Sequence, residues 1–356
     1  MLERNVPTWN SKKHNYFNAQ TSVRMVEYDL EQEKTDLIRV SVGTTAVLGL
    51  ATIKSDTEPT TAYIMTYREG KCVANCAFCP QARGSTSKAE LLSRVTWPAF
   101  PRETVSAAIA SAVDEGKIKR VCIQALNYPD VFSDLQVIVK EIKRHCNVPV
   151  SVACQPLNKE NMIMLKASGV DRLGIALDAA TEEVFIKVKG GCYTWKRHFE
   201  LFEEALAVFG RGNVSTHVIV GLGESEKEAV DIIQMCVDLG VLPALFAFTP
   251  VRGTALEGNL APNLDSYRRV QLARFLIVAG MAKAQDMSFD GEGKISDFGL
   301  PKKIIQGIID GGSAFQTSGC PACNRPYYNE KPSGPIYNYP RMLNKEEIKK
   351  IKTELN

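Results

Sequence analysis

From Thr61 onward the chain alternates short apolar runs with longer stretches whose apolar residues recur at helical spacing, and this beat constrains the fold more than any other feature. Strands are expected at residues 62–66, 120–125, 148–153, 171–177, 214–220, 242–248, 287–290 and 313–316. Helices are expected between them, among others at 103–115, 132–145, 195–209, 226–239 and 265–284. Strand and helix in strict alternation build a parallel sheet covered by helices, so the fold class is α/β, and eight such strands predict a parallel (β/α)8 barrel of the TIM type. The last two strands are short, which leaves six strands with a looser end as the alternative. The barrel is expected over residues 59–318, an N-terminal extension or cap over 1–58, and a cysteine-containing lid with a tail helix over 319–356. Trp9 and Tyr16 in the extension are read as packing residues.

The active site of such a barrel lies at the C-terminal ends of its strands. Cys72, Cys76 and Cys79 follow the first strand in the spacing C-x3-C-x2-C, with Phe78 just before the last cysteine. Three thiolates so close together can wrap one face of a 4Fe-4S cubane and leave the fourth iron without a protein ligand. An open iron binds a small molecule and hands it an electron, whereas a pure electron carrier closes its cluster with a fourth cysteine. The other readings are a zinc knuckle, which would normally show a second ligand pair at matched spacing, and buried thiols. Asp178 ends the fourth strand and Gly221-Leu222-Gly223-Glu224 ends the fifth. The two glycines would let the main chain approach a flat ring closely; an ordinary turn there, and a helix cap at Asp178, are the plainer alternatives.

Composition narrows the setting. Ten cysteines beside a cluster motif point to a reducing compartment, so the chain reads as a cytoplasmic enzyme. A net charge of +3 is too small to argue for nucleic acid. The apolar run at residues 38–50 is too short and too polar to span a bilayer, and no signal peptide is read.

With Phe78 before its last cysteine, the Cys72–Cys76–Cys79 loop resembles the signature of the radical S-adenosylmethionine enzymes. The resemblance implies that the open iron chelates the methionine amine and carboxylate of the cofactor, and that one-electron reduction yields a 5′-deoxyadenosyl radical. It also implies adenine contacts from the segment holding Gly221, Gly223 and Glu224, a ribose contact from Asp178, and a methionine carboxylate contact from either Arg197 or His198.

Residues 76–81, 120–122, 219–224 and 253–254 read like biotin synthase, so the chain resembles the biotin synthase and lipoyl synthase branch, whose members insert sulfur into C–H bonds from a second cluster. Cys122 fits one ligand of the small biotin-type cluster, but Ser151 and Ser215 stand where two other cysteines are expected, and residues 287–290 offer no arginine. Gly174, Ala176 and Phe246 replace the asparagines that hold a ureido ring, so the pocket reads as one for an aliphatic chain. The C-x2-C pair Cys320 and Cys323 is expected to converge with Cys122 and Cys154 on an auxiliary 4Fe-4S cluster; a zinc half-site or a redox pair is the alternative. Together these features resemble the archaeal-type two-protein lipoyl synthases. The resemblance implies an octanoylated lipoyl carrier domain or peptide as substrate, a sister radical subunit, and a low-potential donor such as ferredoxin or flavodoxin. A biotin synthase-like enzyme, or a radical methylase, mutase or dehydrogenase whose auxiliary cluster only passes electrons, is the competing reading, and a non-catalytic iron–sulfur carrier is a third.

Overall fold

The structure is a computed structural model that describes residues 36–155 and 158–355, together with the short strand Arg24–Met25. Trp9 and Tyr16 lie outside the described residues. Six parallel strands form the body: Thr61–Thr66, Arg120–Gln124, Val150–Ala153, Arg172–Gly174, Val214–Val220 and Leu242–Ala247, each paired with the next in sequence. Helices follow the strands, among them Arg102–Asp114, Val131–His145, Trp195–Phe209, Glu226–Leu239 and Leu264–Val278. The edge beside the first strand is extended by two antiparallel strands, Leu37–Val40 and then Ala99–Pro101. The core is therefore an α/β barrel of the TIM type with six parallel strands.

The last two expected strands do not join this sheet. Residues 287–290 enter a separate antiparallel hairpin, Ser288–Phe289 with Ile295–Asp297. Local turn chemistry decides this, because the Asp290 carboxylate accepts from the backbone N–H groups of Glu292 and Lys294 and folds the chain straight back. Ser313–Phe315 is a single 3-10 turn launched by Gly312 at φ +72°, too tight to extend into a strand.

Period-two alternation sorts the side chains. Ala62, Ile64, Val121, Ile123, Val150, Leu173, Val214, Val218 and Leu245 point outward into the layer beneath the helices. Each aliphatic side chain of Val or Ile size buried there contributes about 1.5–3 kcal/mol. Tyr63, Cys122, Ser151, Gly174, Ser215, His217, Ala244 and Phe246 line the interior. Helix Glu226–Leu239 starts from a capping box, Ser225 with Glu228, which pins the chain directly after the glycine loop that ends the fifth strand.

The C-terminal segment occupies the seam that the missing strands leave open. At the bottom, the backbone N–H of Thr60 donates to Asn324 Oδ1, the Thr61 hydroxyl donates to Ala322 O, and Arg120 Nε donates to Pro321 O. At the top, Thr249 Oγ1 donates to Asn329 O. Cys320 and Cys323 therefore enter from the N-terminal end of the barrel and not at the mouth of an eighth strand. The proline-containing stretch after Tyr328 does not simply cover the mouth: Arg268, fully buried, donates to Tyr337 O and Ile336 O and clamps it against helix Leu264–Val278. The tail helix Lys345–Leu355 starts from the reciprocal Asn344 and Glu347 bonds, as its sequence leads one to expect.

Candidate active site

Cys72, Cys76 and Cys79 sit on a loop pinned from three sides. Val73 N–H donates to Asn127 O at 2.9 Å, Ala77 N–H to Val188 O at 2.7 Å, and Leu256 N–H to Ala77 O at 3.2 Å. Gly190 packs on the loop so tightly that a Cβ there would meet Asn75 O at 2.3 Å, which is why no side chain is possible at this position. The thiols face hydrogen-bond donors and a cation. Asn127 N–H donates to Cys72 Sγ at 3.2 Å. Burial pushes the Cys76 thiol up to about 11 and the Cys79 thiol up to about 12. Thiols this reluctant to ionise are stabilised as thiolates only when metal takes the place of the proton.

The cation is Lys189, which the sequence did not single out. It is 2% exposed, and its Nζ donates to Asp178 Oδ2 at 2.5 Å and to Ala176 O at 3.0 Å. Burial works against its charge, yet Asp178 and Cys76 outweigh that and hold its pKa above the usual lysine value. Asp178 itself takes a left-handed backbone, φ +69°, at the strand end. Lys189→Met would leave this carboxylate buried without its partner and is expected to lower the unfolding free energy by roughly 3–5 kcal/mol. Urea denaturation of the metal-free protein reads this, and a loss below about 1 kcal/mol would mean that the pair does not hold the strand end.

Arg197 and His198 are placed elsewhere. Arg197 lies on the outer face of its helix, paired with Glu200 and Glu204. His198 is buried behind Lys189, with Nε2 at 3.1 Å from Gln155 Oε1 and Nδ1 at 3.1 Å from Thr194 O. Burial, reinforced by Lys189, lowers its pKa to about 4, so it is neutral. The basic side chain that the fold brings to the cysteine loop is Lys189. Glu224 closes its own loop by accepting from Gly221 and Leu222 N–H. Gly223, at φ +124°, has open space where a side chain would stand, so its main chain is accessible to a flat ring.

A cavity of about 220 Å³ runs down the barrel from Phe78 and Cys79 to Cys122, Cys320 and Cys323. Gly174 and Phe246 line it; Ala176 does not, and its carbonyl is taken by Lys189 and Gln155. At the lower end Gln124 Nε2 donates to Cys122 Sγ at 3.2 Å, the Ser151 hydroxyl faces Cys320 Sγ at 3.7 Å, and the Tyr63 hydroxyl lies 3.4 Å from Cys323 Sγ. Ser151 thus marks the space into which the C-terminal segment delivers a cysteine. Cys154 is not part of this set. Three residues beyond Ser151 the alternation turns its side chain to the opposite face, where it is buried in the apolar layer.

Among the described residues no three His, Cys, Asp or Glu side chains converge on a single metal ion. A cubane makes no such demand, because each thiolate takes a different iron. N–H···S contacts at both sets and a buried cation at the upper one are what an anionic, thiolate-held cluster needs, so the residues fit the group. Among the described residues no helix is long and apolar enough to cross a membrane.

Residues 70–236 match the family described as the Radical SAM superfamily. A biotin synthase of Hydrogenobaculum sp. (strain Y04AAS1) is 26% identical over 268 residues, 70% of this chain and 73% of that one. A biotin synthase of Persephonella marina is 27% identical over 197 residues, 54% of this chain and 55% of that one, so the chain spans little more than half of this relative. Among solved structures, the FeFe-hydrogenase maturase HydG from Carboxydothermus hydrogenoformans superposes with a TM-score of 0.47 at 15% identity, over 83% of this chain and 77% of that one. The cysteine loop, the six-stranded core and the matched segment place this chain in the Radical SAM superfamily, with biotin synthase-like relatives at low identity.

Proposed function

We propose that this protein is a sulfur-inserting radical enzyme, one component of a two-protein lipoyl synthase that acts on a protein-bound octanoyl chain. The observation that carries the reading is the cavity with one cysteine set at each end. On this reading Cys72, Cys76 and Cys79 hold the cubane that, with S-adenosylmethionine, supplies the radical, and Cys122, Cys320 and Cys323 hold the auxiliary sulfur source. Hydrogen abstraction needs proximity more than substrate polarity, so the chain's task is to hold an unactivated carbon between the two sets. Ile219, Ala244, Ala247 and Phe248 supply apolar wall that excludes water, and Gly174 keeps the wall thin beside Ser215 and Ala153. Lys189 and Asp178 fix the upper end.

A polar ring system is a poor fit to this wall. His217, stacked on Phe246 with centroids 4.7 Å apart, is held neutral by burial with a pKa lowered to about 4, and Gln124 is engaged by Cys122. Buried groups of a ureido ring left unpaired would cost roughly 1–3 kcal/mol each. The biotin synthase-like reading nevertheless has its own support in the biotin synthases of 26% and 27% identity. The two are separated by anaerobic turnover with a low-potential donor, ferredoxin or flavodoxin, read by mass spectrometry. An octanoyl-lysyl peptide should gain sulfur, with the second carbon completed only when the sister subunit is added, and dethiobiotin should be returned unchanged. Conversion of dethiobiotin to biotin would overturn the reading.

A further inference from the structure

The lower cysteine set has three members, since Cys154 faces away, and the polar side chains around it are accounted for with one exception. The Ser151 hydroxyl accepts from Arg120 Nη1 and faces Cys320; the Tyr63 hydroxyl accepts from the backbone N–H of Arg325 and faces Cys323. The exception is the Arg325 side chain. Its Nη2 donates to Ser318 O at 2.6 Å and to Leu245 O at 3.3 Å, and its guanidinium lies 3.8 Å from the centre of the Phe246 ring, which is stacked on His217. This anchoring leaves Nε and Nη1 buried without a hydrogen-bond partner. Glu330, a buried carboxylate within its field, is occupied by Asn338 N–H and Nδ2. A guanidinium does not lose its proton inside a protein, so the cavity holds a permanent cation with two idle donors next to three thiols. Leaving charged donors unmet is costly, and the natural remedy is an anion.

We infer that Arg325 forms an anion subsite on the cavity face of the Cys122, Cys320 and Cys323 set, and that its ligand is a small sulfur monoanion, hydrosulfide. The inference rests on the proposed reading that these three thiols hold an auxiliary cubane, because three thiolates leave one iron without a protein ligand. Chemistry selects the anion. A carboxylate or phosphate would need further donors or water, which Phe246 and Ala244 do not supply, whereas a single weakly hydrated sulfur can accept from one guanidinium fork. Binding is a ligand addition: hydrosulfide arrives as the monoanion, one iron–sulfur bond forms, the proton stays on sulfur and no electron is transferred. The consequence is a route by which dissolved sulfide can replenish the sulfur that turnover removes.

The test uses the full chain, reconstituted anaerobically, with S-adenosylmethionine present so that the open iron of the upper cluster is occupied. Isotopically enriched hydroselenide is titrated in, and selenium hyperfine coupling on the reduced auxiliary cluster is read by electron–nuclear double resonance. The coupling should appear in the wild-type protein and require about tenfold more hydroselenide in Arg325→Met. Arg325→Lys keeps the charge without the fork and should fall between the two, which keeps the test open if the methionine variant loads poorly. A fully loaded protein with no selenium coupling, or equal titrations in all three proteins, would overturn this inference alone. A protein that assembles only the upper cluster would overturn it together with the two-cluster reading.

Discussion

Replacing Cys72, Cys76 and Cys79 together by alanine is expected to reduce 5′-deoxyadenosine formation from S-adenosylmethionine to background, even with a strong chemical reductant. The reason is local and complete. The three thiols stand on one loop that is fixed by backbone bonds to Asn127, Val188 and Leu256, and no other cysteine of the lumen lies at that end. Each single alanine variant should show the same loss, because a cubane already short of one protein ligand does not tolerate losing another. The fold is expected to survive, since the loop's anchors are main-chain bonds and not the thiols. Persistent cofactor cleavage by the triple variant would contradict the assignment of the radical site.

The second large effect separates the two ends of the cavity. Cys320→Ala with Cys323→Ala should leave reductive cleavage of the cofactor within about twofold of wild type and eliminate sulfur transfer, since sulfur must come from a set to which both belong. The two sets are physically independent: one follows the C-terminal end of the first strand, and the other is held at its N-terminal end through Thr60, Thr61 and Arg120. Loss of both activities in a variant that keeps its fold would argue that the C-x2-C pair is no separate sulfur source.

The core and the upper site were legible because their signals are short-range. Period-two apolar runs at 62–66, 120–125 and 214–220 have no competing local structure, and a C-x3-C-x2-C loop declares its own chemistry. The failures have physical causes. The runs at 287–290 and 313–316 are strand-like in composition, but an Asp-led turn and a glycine at φ +72° give them better local partners than the sheet. Cys154 was grouped with Cys122 by its place at a strand end, yet the parity of three residues from Ser151 sends it to the other face. Lys189 and Arg325 were missed because a basic residue in a sequence reads as solvent-facing. Only the fold shows that one is buried against Asp178 and Cys76, and that the other is stacked on Phe246 with two donors unmet.

The account's central claim is that one barrel lumen carries two separate cysteine-held cubanes, one at each end. Counting iron and acid-labile sulfide per chain after anaerobic reconstitution tests it most directly, in the wild-type protein and in the Cys320→Ala, Cys323→Ala variant. The account predicts about eight irons and eight sulfides in the first and about four of each in the second. About four irons in both proteins would contradict it.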